Sequence, residues 1–385
     1  MDHYDYIIAG AGAAGLSLAL ALIQSDISGR SVLIIDRETK TKNDRTWCFW
    51  TDKPTGLESI LYRSWSKLRF ISPSFDRAFD LENYRYHMIR GIDYYKFARQ
   101  KIGAHAKFDW IQGTVQSIID TPHGAQVTVD GNRYSGDFVF DSILRPGDIS
   151  PVSAQYHDLK QHFVGWIIEA SGDIFDPNIP VLFDFRTPQA GAMRFVYILP
   201  FSPNSALIEY TLFSPSLLSP PEYQRGLQNY INDVLGINTY KIVESEQGII
   251  PMTDRIFERQ NGEHILNIGT KGGMVKPSSG YAFLRMHCDS AAVVQSLKKH
   301  GHPFDIEESS IRYRWFDTIL LQIMLRHPNE CSNIFEILFR RNSIQSIFRF
   351  LDEDGSWSND LRILGSLPPY RFLEALIKVK LFQKI

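Results

Sequence analysis

Apolar residues follow two different periodicities over the first 36 residues of the chain. The continuous run Tyr6–Ala9 predicts a strand buried on both faces, and Leu16–Ile23 has the composition of a buried helix. A second apolar run, Val32–Ile35, predicts another strand. The order strand, helix, strand indicates a βαβ unit and therefore a parallel sheet.

The turn between the first strand and the helix reads GAGAAG. In such a turn Gly10 permits the sharp bend, Gly12 lets the backbone approach a pyrophosphate, and Gly15 lets helix and strand pack closely. The pyrophosphate then rests on amide N–H groups at the start of the helix, that of Ala14 included. Asp36 ends the second strand, where a carboxylate accepts hydrogen bonds from an adenosine ribose. These features together predict a dinucleotide-binding domain rather than a glycine turn between core elements.

Apolar patterns in the rest of the chain predict two further regions. Strand-like runs over 162–213, joined by short polar loops, indicate an antiparallel sheet, and helical patterns prevail after residue 284. Residues 92–102 and 221–236 have helical spacing, 108–118 and 125–141 resemble strands, and 43–62 reads as irregular. We therefore expect an α/β fold with a discontinuous nucleotide-binding domain (1–150 and 245–300), an antiparallel-sheet substrate domain (151–244) and a C-terminal helical region (301–385).

A second glycine-rich loop lies between a predicted strand at 264–268 and a helix beginning near Tyr281. It contains Gly269, Gly273, Met274 and Gly280, and it aims another helix N-terminus at an electron-rich ligand. An exposed Gly/Ser loop is the alternative interpretation. Two such loops, about 250 residues apart in the sequence, favour a long cofactor that spans the domain, FAD rather than NAD.

The charge and the cysteine content give no sign of a nucleic-acid-binding protein or of a metal site. A formal net charge of −2 gives no indication of nucleic-acid binding. Cys48, Cys288 and Cys331 have no metal-ligand spacing, which predicts reduced thiols in the cytoplasm and no metal site. A strand that begins by residue 5 leaves no room for a signal peptide, and no apolar run reaches the ~18 residues of a membrane-spanning helix.

Apolar helical stripes in the C-terminal region suggest contact with a membrane surface. One stripe includes Trp315, Phe316, Ile319 and Ile323, and similar patterns continue to Leu351 with arginines between them. Residues 311–385 carry 11 Lys and Arg against 8 Asp and Glu, which suits a helix bundle lying on an anionic leaflet. Helices packed on the nucleotide-binding domain would explain the stripes equally well.

Several longer segments resemble the FAD-dependent lycopene cyclases of bacteria and plants. The resemblance covers nearly the whole chain. It is carried by five segments: Asn43–Trp50 (the family's NxRTWxFW), Gln161–Glu169 (QHFxGWxIE), Phe183–Arg186 (MDFR), Glu246–Asp254 (EQGxIPMTD) and Gly272–Tyr281 (GGMVKPSTGY). It implies a fold like that of p-hydroxybenzoate hydroxylase, with Arg45 at the cofactor phosphates. It also implies lycopene or a related acyclic carotenoid as substrate, reduced FAD as the active cofactor, NAD(P)H as reductant, and a peripheral place on the cytoplasmic membrane.

The catalytic strand of that family usually reads FLEET, and here it reads Leu207-Ile208-Glu209-Tyr210-Thr211. The resemblance implies that Glu209 is the catalytic acid. Tyr210 replaces the second glutamate, so a paired carboxylate is not expected from this strand. The second flavin loop of such folds often carries Gly-Asp, whereas this chain has Gly269-Thr270, and no acidic contact to the ribityl chain is assigned.

The implied reaction forms a ring without net oxidation or reduction. Protonation at C2 of the acyclic ψ end group gives a cation at C1, the C5=C6 bond attacks it, and loss of a proton from C6 gives a β ring. Loss of a proton from C4 gives an ε ring instead. An alkene is a very weak base, so the acid must be a protonated, buried carboxyl group. Candidates for stabilising the cation are Trp166, Glu169, Tyr197 and Tyr210, with Glu246 as a further polar candidate.

Two alternatives remain open at this point. A flavin monooxygenase or prenyl reductase of the same fold would consume NAD(P)H together with its substrate. A non-catalytic flavoprotein or carotenoid-binding protein would show no turnover.

Overall fold

The computed structural model describes residues 2–145, 147–148 and 156–382. The strands are β1 (Asp2–Ala9), β2 (Val32–Asp36), β3 (Thr46–Thr51), β4 (Arg63–Trp65), β5 (Lys67–Ser72), β6 (Phe75–Asp80), β7 (Arg85–Arg90), β8 (Phe108–Gln112), β9 (Val115–Thr121), β10 (Gly124–Val129), β11 (Asn132–Asp141), β12 (Asp158–Ala170), β13 (Val181–Asp184), β14 (Met193–Ser202), β15 (Ser205–Ser214), β16 (Tyr240–Thr253) and β17 (Ile265–Asn267). The helices are α1 (Ala13–Ile23), α2 (Gly91–Gly103), α3 (Pro220–Asn229), α4 (Phe283–His300), α5 (Ile311–Arg326), α6 (Cys331–Arg341), α7 (Ile344–Leu351), α8 (Trp357–Ser366) and α9 (Pro369–Phe382).

The first sheet has the order β8-β2-β1-β11-β10-β9, with β17 beside β11. Strands β8, β2, β1, β11 and β17 run parallel, whereas β10 and β9 continue the sheet antiparallel. Ile7 and Ile8 are both fully buried because helices cover one face and apolar side chains of the same sheet cover the other. The predicted βαβ unit is therefore confirmed, and α1 is buried along most of its length against α4.

The second sheet has the order β16-β12-β15-β14-β13-β5-β6, and its neighbouring strands are antiparallel except for β13 and β5. The predicted strands of residues 162–213 all belong to it. Strands β5 and β6 precede the expected segment 151–244, and β16 begins within it and continues to Thr253. The limits of this sheet therefore differ from the boundaries expected at residues 150 and 245. Local periodicity identifies a strand but not its distant pairing partner.

A small third sheet has the order β3-β7-β4, and its strand β3 lies within the segment that the sequence reads as irregular. That interpretation of residues 43–62 is wrong over Thr46–Thr51. Strand β3 carries Trp47, Cys48, Phe49 and Trp50 in succession, and each is at least partly buried. A strand covered on both faces lacks the alternation of polar and apolar residues by which a strand is recognised.

Helices α5 to α7 cover one face of the second sheet and form the largest apolar core with it. Phe339 stacks on Phe70 of β5, with ring centroids 4.5 Å apart, and Phe348 stacks on Trp50 at the same distance. Ile323 and Met324 are buried in this core. The apolar stripes of α5 to α7 therefore pack mainly on the second sheet. Among the residues that the structure describes, no helix combines the length and apolar character needed to cross a bilayer.

Candidate functional site

A cleft of about 440 Å³ runs between the two large sheets. One wall comes from the first glycine loop and the start of α1, and the other from β12, β14, β15 and β16. The second glycine loop and the start of α4 close the cleft between these walls. Both glycine loops and the strand that carries Glu209 thus border one cavity.

The first glycine loop has the geometry that its spacing predicts. Gly10 has a φ of +99°, and a Cβ atom there would overlap Ser142 Oγ. A Cβ on Gly15 would overlap the carbonyl oxygen of Gly10, because helix and strand cross at this point. Around Gly12, by contrast, no described atom lies within 4 Å of an added Cβ, and this residue lines the cleft. The backbone is therefore open to a ligand at Gly12, whereas Gly10 and Gly15 are closely packed by the protein itself.

Helix α1 begins at this open point and presents its N-terminus to the cleft. Its N-cap is Gly12, which has no side chain to accept a hydrogen bond, and its first turn contains no acidic residue. The amides of Ala13 and Ala14 line the cavity wall, where they can donate to an anion.

Asp36 lies behind the loop and holds it in place. Its Oδ2 accepts a hydrogen bond from the amide of Ala11 at 2.7 Å, and its Oδ1 accepts one from the amide of Glu38 at 2.8 Å. Arg45, which is exposed, and Lys40 both line the cleft. Two cations and the N-terminus of α1 in the lining of one cavity suit a phosphate-bearing ligand.

The second loop contacts the first. Gly269 has a φ of +64°, and a Cβ there would lie 2.8 Å from the Cβ of Ala14. Gly280 has a φ of +73° and lines the cleft against Gln161. Gly273 packs on Phe257 instead, and Met274 has its sulfur 4.0 Å from a guanidinium nitrogen of Arg259.

The placement of this loop decides which of its residues can touch a ligand. Gly269 and Gly280 line the cleft, whereas Gly273 and Met274 support the loop from behind. Gln161 Oε1 and Ser279 Oγ are buried, and neither finds a hydrogen-bond partner within the described part of the chain. Open backbone, unpartnered polar atoms and two helix N-termini fit a bound dinucleotide.

The opposite wall carries one row of side chains across four strands of the second sheet. Gly165 of β12 pairs with Glu209 of β15 on one side and with Glu246 of β16 on the other. Glu209 in turn pairs with Tyr197 of β14. Paired residues in a sheet project to the same face, so Glu246, Glu209 and Tyr197 all point into the cleft, and all three line it.

Three of the residues expected to stabilise a cation lie elsewhere. Trp166 and Tyr210 belong to the apolar core on the far face of the second sheet, and Glu169 is exposed near the end of β12. Successive residues of a strand point to opposite faces, so Tyr210 cannot share the face of Glu209, nor Trp166 that of Gly165. The assignment of Trp166, Glu169 and Tyr210 to the site is therefore wrong, whereas Tyr197 lies in it.

The orientation of Tyr210 shows where a second glutamate of the family's FLEET strand would lie. The Tyr210 hydroxyl accepts a hydrogen bond from Nη1 of Arg194 at 3.2 Å, behind the sheet. A glutamate at this position would lie beside the same guanidinium and outside the cleft. The departure from FLEET consequently leaves the chemistry of the cleft unchanged.

Burial controls the protonation of the carboxyl pair. Burial, and after it the charge of Glu246, raises the pKa of Glu209 well above its ordinary value, although the Thr211 hydroxyl opposes this by donating to Glu209 Oε1 at 2.7 Å. Burial also raises the pKa of Glu246, whose Oε2 accepts a hydrogen bond from the Thr46 hydroxyl at 2.7 Å. Two carboxyl groups this close do not both ionise readily, and the charge of Arg45 favours the ionised form of Glu246, so we assign the proton of the pair to Glu209.

Aromatic residues line the cleft that contains Glu209, and of these only Tyr197 was expected from the sequence. Tyr86, Tyr281 and Phe163 line the cleft together with Tyr197, and burial raises the pKa of all three tyrosines, so their hydroxyls stay neutral. Tyr281 ends the second glycine loop, and this position in a predicted cofactor loop indicates that it lies near the cleft. Tyr86 lies on β7, a strand that the sequence pattern did not predict.

The family model described as "Lycopene cyclase protein" matches residues 5–377. The chain is 25% identical over 303 residues to lycopene beta-cyclase of Pantoea ananas, an alignment that covers 73% of this chain and 71% of that protein. It is 24% identical over 316 residues to the chloroplastic lycopene beta cyclase of Arabidopsis thaliana, covering 78% of this chain and 61% of the plant protein. The chain is also 24% identical over 325 residues to the chloroplastic neoxanthin synthase of Solanum tuberosum, an alignment that covers 77% of this chain and 61% of that protein.

Solved structures resemble the chain at the level of the fold. A geranylgeranyl bacteriochlorophyll reductase-like protein of Thermoplasma acidophilum superposes with a TM-score of 0.63 at 13% identity, covering 98% of this chain and all of that one. A point mutant of the halogenase PltM in complex with FAD gives a TM-score of 0.60 at 13% identity, covering 99% and 91%. The fold is thus that of FAD-dependent flavoproteins. Since the family model covers nearly the whole chain, the protein belongs to the lycopene cyclase family.

Proposed function

We propose that the protein is an FAD-dependent lycopene beta-cyclase, an isomerase that closes the acyclic ψ end groups of lycopene to β rings. The observation that carries the proposal is Glu209, a buried carboxyl at the apolar end of a cleft whose other end has the features of a dinucleotide site. Relatives named lycopene beta-cyclase in a bacterium and in plants support the choice of substrate.

Glu209 has the properties of an acid for a weakly basic alkene. Full burial raises a carboxyl pKa by up to roughly 3–5 units, which keeps the group protonated near neutral pH. Leu199 and Leu207 line the same cleft as Glu209 and make its surroundings apolar. Apolar surroundings suit the transfer of a proton to an alkene end group.

The aromatic lining of the cleft suits the cation that follows protonation. Tyr197, Tyr281 and Phe163 line the cleft that contains Glu209. An aromatic face within about 6 Å of a desolvated cation contributes up to about 2 kcal/mol. These residues replace Trp166 and Tyr210 as the candidates for that role.

Residues of the first domain would hold FAD in an extended form. The amides at the start of α1 and the side chain of Arg45 would bind its phosphates, while the second loop from Gly269 to Gly280 would border its flavin end. Reduced, anionic FAD supplies a negative charge that lowers the energy of a nearby carbocation. NAD(P)H is the proposed reductant.

We further propose a peripheral position on the cytoplasmic membrane, since the substrate dissolves in lipid. Helices α8 and α9 present most of the exposed apolar side chains described in the C-terminal region: Trp357 (61% exposed), Leu361 (61%), Tyr370 (58%), Leu373 (57%) and Ile377 (60%). Arg362 and Lys378 accompany them on the same two helices. The double variant Leu373→Glu/Ile377→Glu should lose sedimentation with anionic vesicles while keeping its flavin, and unchanged sedimentation would contradict this placement.

Anaerobic turnover tests the activity itself. The protein, reduced with dithionite and supplied with lycopene in vesicles, should form cyclic carotenoids without net consumption of NAD(P)H, and the oxidised protein should form none. Hydroxylated or saturated products with stoichiometric NAD(P)H consumption would support the monooxygenase or reductase alternative. Equal cyclisation in both redox states would remove FAD from the chemistry.

A further inference from the structure

Glu246 and Glu209 share a hydrogen bond between their carboxyl groups. Glu246 Oε2 also accepts the Thr46 hydroxyl at 2.7 Å, whereas its Oε1 is shielded from solvent and accepts from no other group of the described residues. Glu246 also lines the cleft. Once Glu209 has given up its proton, Glu246 is a buried carboxylate with one donor fewer, which favours its taking up a proton.

We propose that Glu246 is a second catalytic residue, the base that removes the C6 proton and so directs the reaction to a β ring. This inference rests on the proposed function, because it assigns a step of that same reaction. The residue lies outside the catalytic strand, on β16, and its register with Gly165 brings it to Glu209.

Gly165 makes the approach of the two carboxyl groups possible. Glu209 and Glu246 belong to strands on either side of β12, which places their backbones about 10 Å apart. A Cβ atom on residue 165 would lie 3.2 Å from Cγ of Glu246 and 3.5 Å from Cβ of Glu209. Because glycine has no side chain, both carboxyl groups lean over the central strand toward one end group.

The protons balance over one ring closure. Glu209 gives its proton to C2 and becomes a carboxylate, the C1–C6 bond forms, and the C6–H bond breaks to leave the C5=C6 double bond. Glu246 Oε1 takes that proton. The proton then passes from Glu246 to Glu209, where the pKa is higher, and this restores the starting state with no net change in charge.

Two separate carboxyl groups explain why one ring type would form. A single carboxylate that had just protonated C2 would have to reach C6 from the same position. A base placed across the strand reaches a different hydrogen, and the choice between C6 and C4 decides between β and ε rings. Control of the ring type thus becomes a property of Glu246.

The test compares Glu246→Gln, Glu246→Asp and the wild type, each with reduced flavin, on lycopene in D2O. Glu244→Gln is the matched control, since Glu244 lies on the same strand but is exposed. We expect Glu246→Gln to lose β-ring formation by about 10²–10⁴-fold, the usual contribution of a general base. Its residual products should include ε rings, or its recovered lycopene should contain deuterium from reversible protonation. Glu246→Asp should restore part of the β-ring rate.

Two results would overturn the inference while the proposed function stands. One is a Glu246→Gln protein that forms β rings at the rate of Glu244→Gln. The other is a Glu246→Gln protein with normal flavin content that is slower but yields β rings alone, or that yields neither product nor deuterated lycopene, since a positioning role accounts for both. If the wild type itself fails to cyclise lycopene, the proposed function fails first.

Discussion

Glu209 and Glu246 meet over Gly165, although 37 residues of sequence separate them and they lie on strands that do not pair with each other. The central strand β12 pairs with both of their strands, and its glycine leaves the space between them free. The carboxyl pair is therefore built by sheet register and not by adjacency in the sequence.

Gly165→Ala should separate the two carboxyl groups. The new methyl group would lie 3.0 Å from Cδ1 of Leu207 and 3.2 Å from Cγ of Glu246, closer than ordinary contacts. We expect most of the activity to be lost and stability to fall by about 1–3 kcal/mol, as for other overpacked sites. Gly172→Ala, where no described atom lies within 4 Å, is the control. Equal activity of the two variants would show that the pair does not depend on Gly165.

The pH dependence of activity should report the protonated state of Glu209. Burial, followed by the charge of Glu246, raises the pKa of this carboxyl, so activity should fall as pH rises through the folded-state value of Glu209. If Glu246 is the base, activity should also fall at low pH, where Glu246 becomes protonated. The stability that the protonated Glu209 contributes is complete below the ordinary carboxyl pKa and is lost as pH rises through the raised one. Thermal unfolding of the wild type and of Glu209→Gln should thus diverge toward high pH. A profile in which activity does not fall at high pH would contradict an acid role.

Gly12→Val should lower the flavin content of the purified protein. Gly12 is the open point of the loop, and a branched side chain there would occupy the space that its backbone offers to a pyrophosphate. Absorbance of the bound flavin per protein measures the effect. Gly103→Ala, which also has no described neighbour within 4 Å of its added Cβ, should keep full flavin content. Wild-type flavin content in Gly12→Val would remove the first loop from the cofactor site.

Substitutions at Tyr210 should have little effect on catalysis because this side chain lies behind the sheet. Tyr210→Phe removes only the hydrogen bond to Arg194, and Tyr210→Glu would place a carboxylate beside that guanidinium. We expect both variants to cyclise at rates near that of the wild type. Tyr281→Phe and Tyr197→Phe, in the cleft, provide the comparison. A large gain in rate for Tyr210→Glu would mean that the second glutamate of FLEET acts from the far face.

The sequence predicted those parts of the fold that depend on local pattern. The βαβ unit, the glycine turn and the strands of the second sheet follow from spacing and periodicity, and the structure confirms them. Strand β3 escaped prediction because Trp47 to Trp50 are apolar on both faces. The contribution of β5, β6 and β16 to the second sheet escaped because pairing between distant strands leaves no local pattern.

The candidate site was predictable in part. Glu209 and Tyr197 are paired residues of the neighbouring strands β15 and β14 and therefore share a face, whereas Trp166 and Tyr210 differ from Gly165 and Glu209 by one position. Counting that parity would have excluded both from the cleft. The partnership of Glu246 with Glu209 required the register of three strands, which no single segment contains.

The most direct test of the account is the rate of cyclisation by Glu209→Gln, measured with reduced flavin on lycopene in vesicles. Glutamine keeps the shape of the side chain and its hydrogen bond with Thr211, but it cannot donate a proton to an alkene. We predict normal flavin content, normal folding and a rate lower by about 10²–10⁴-fold or more, with a weak residual rate for Glu209→Asp. A Glu209→Gln protein that cyclises lycopene at a substantial fraction of the wild-type rate would contradict the assignment of Glu209 as the acid.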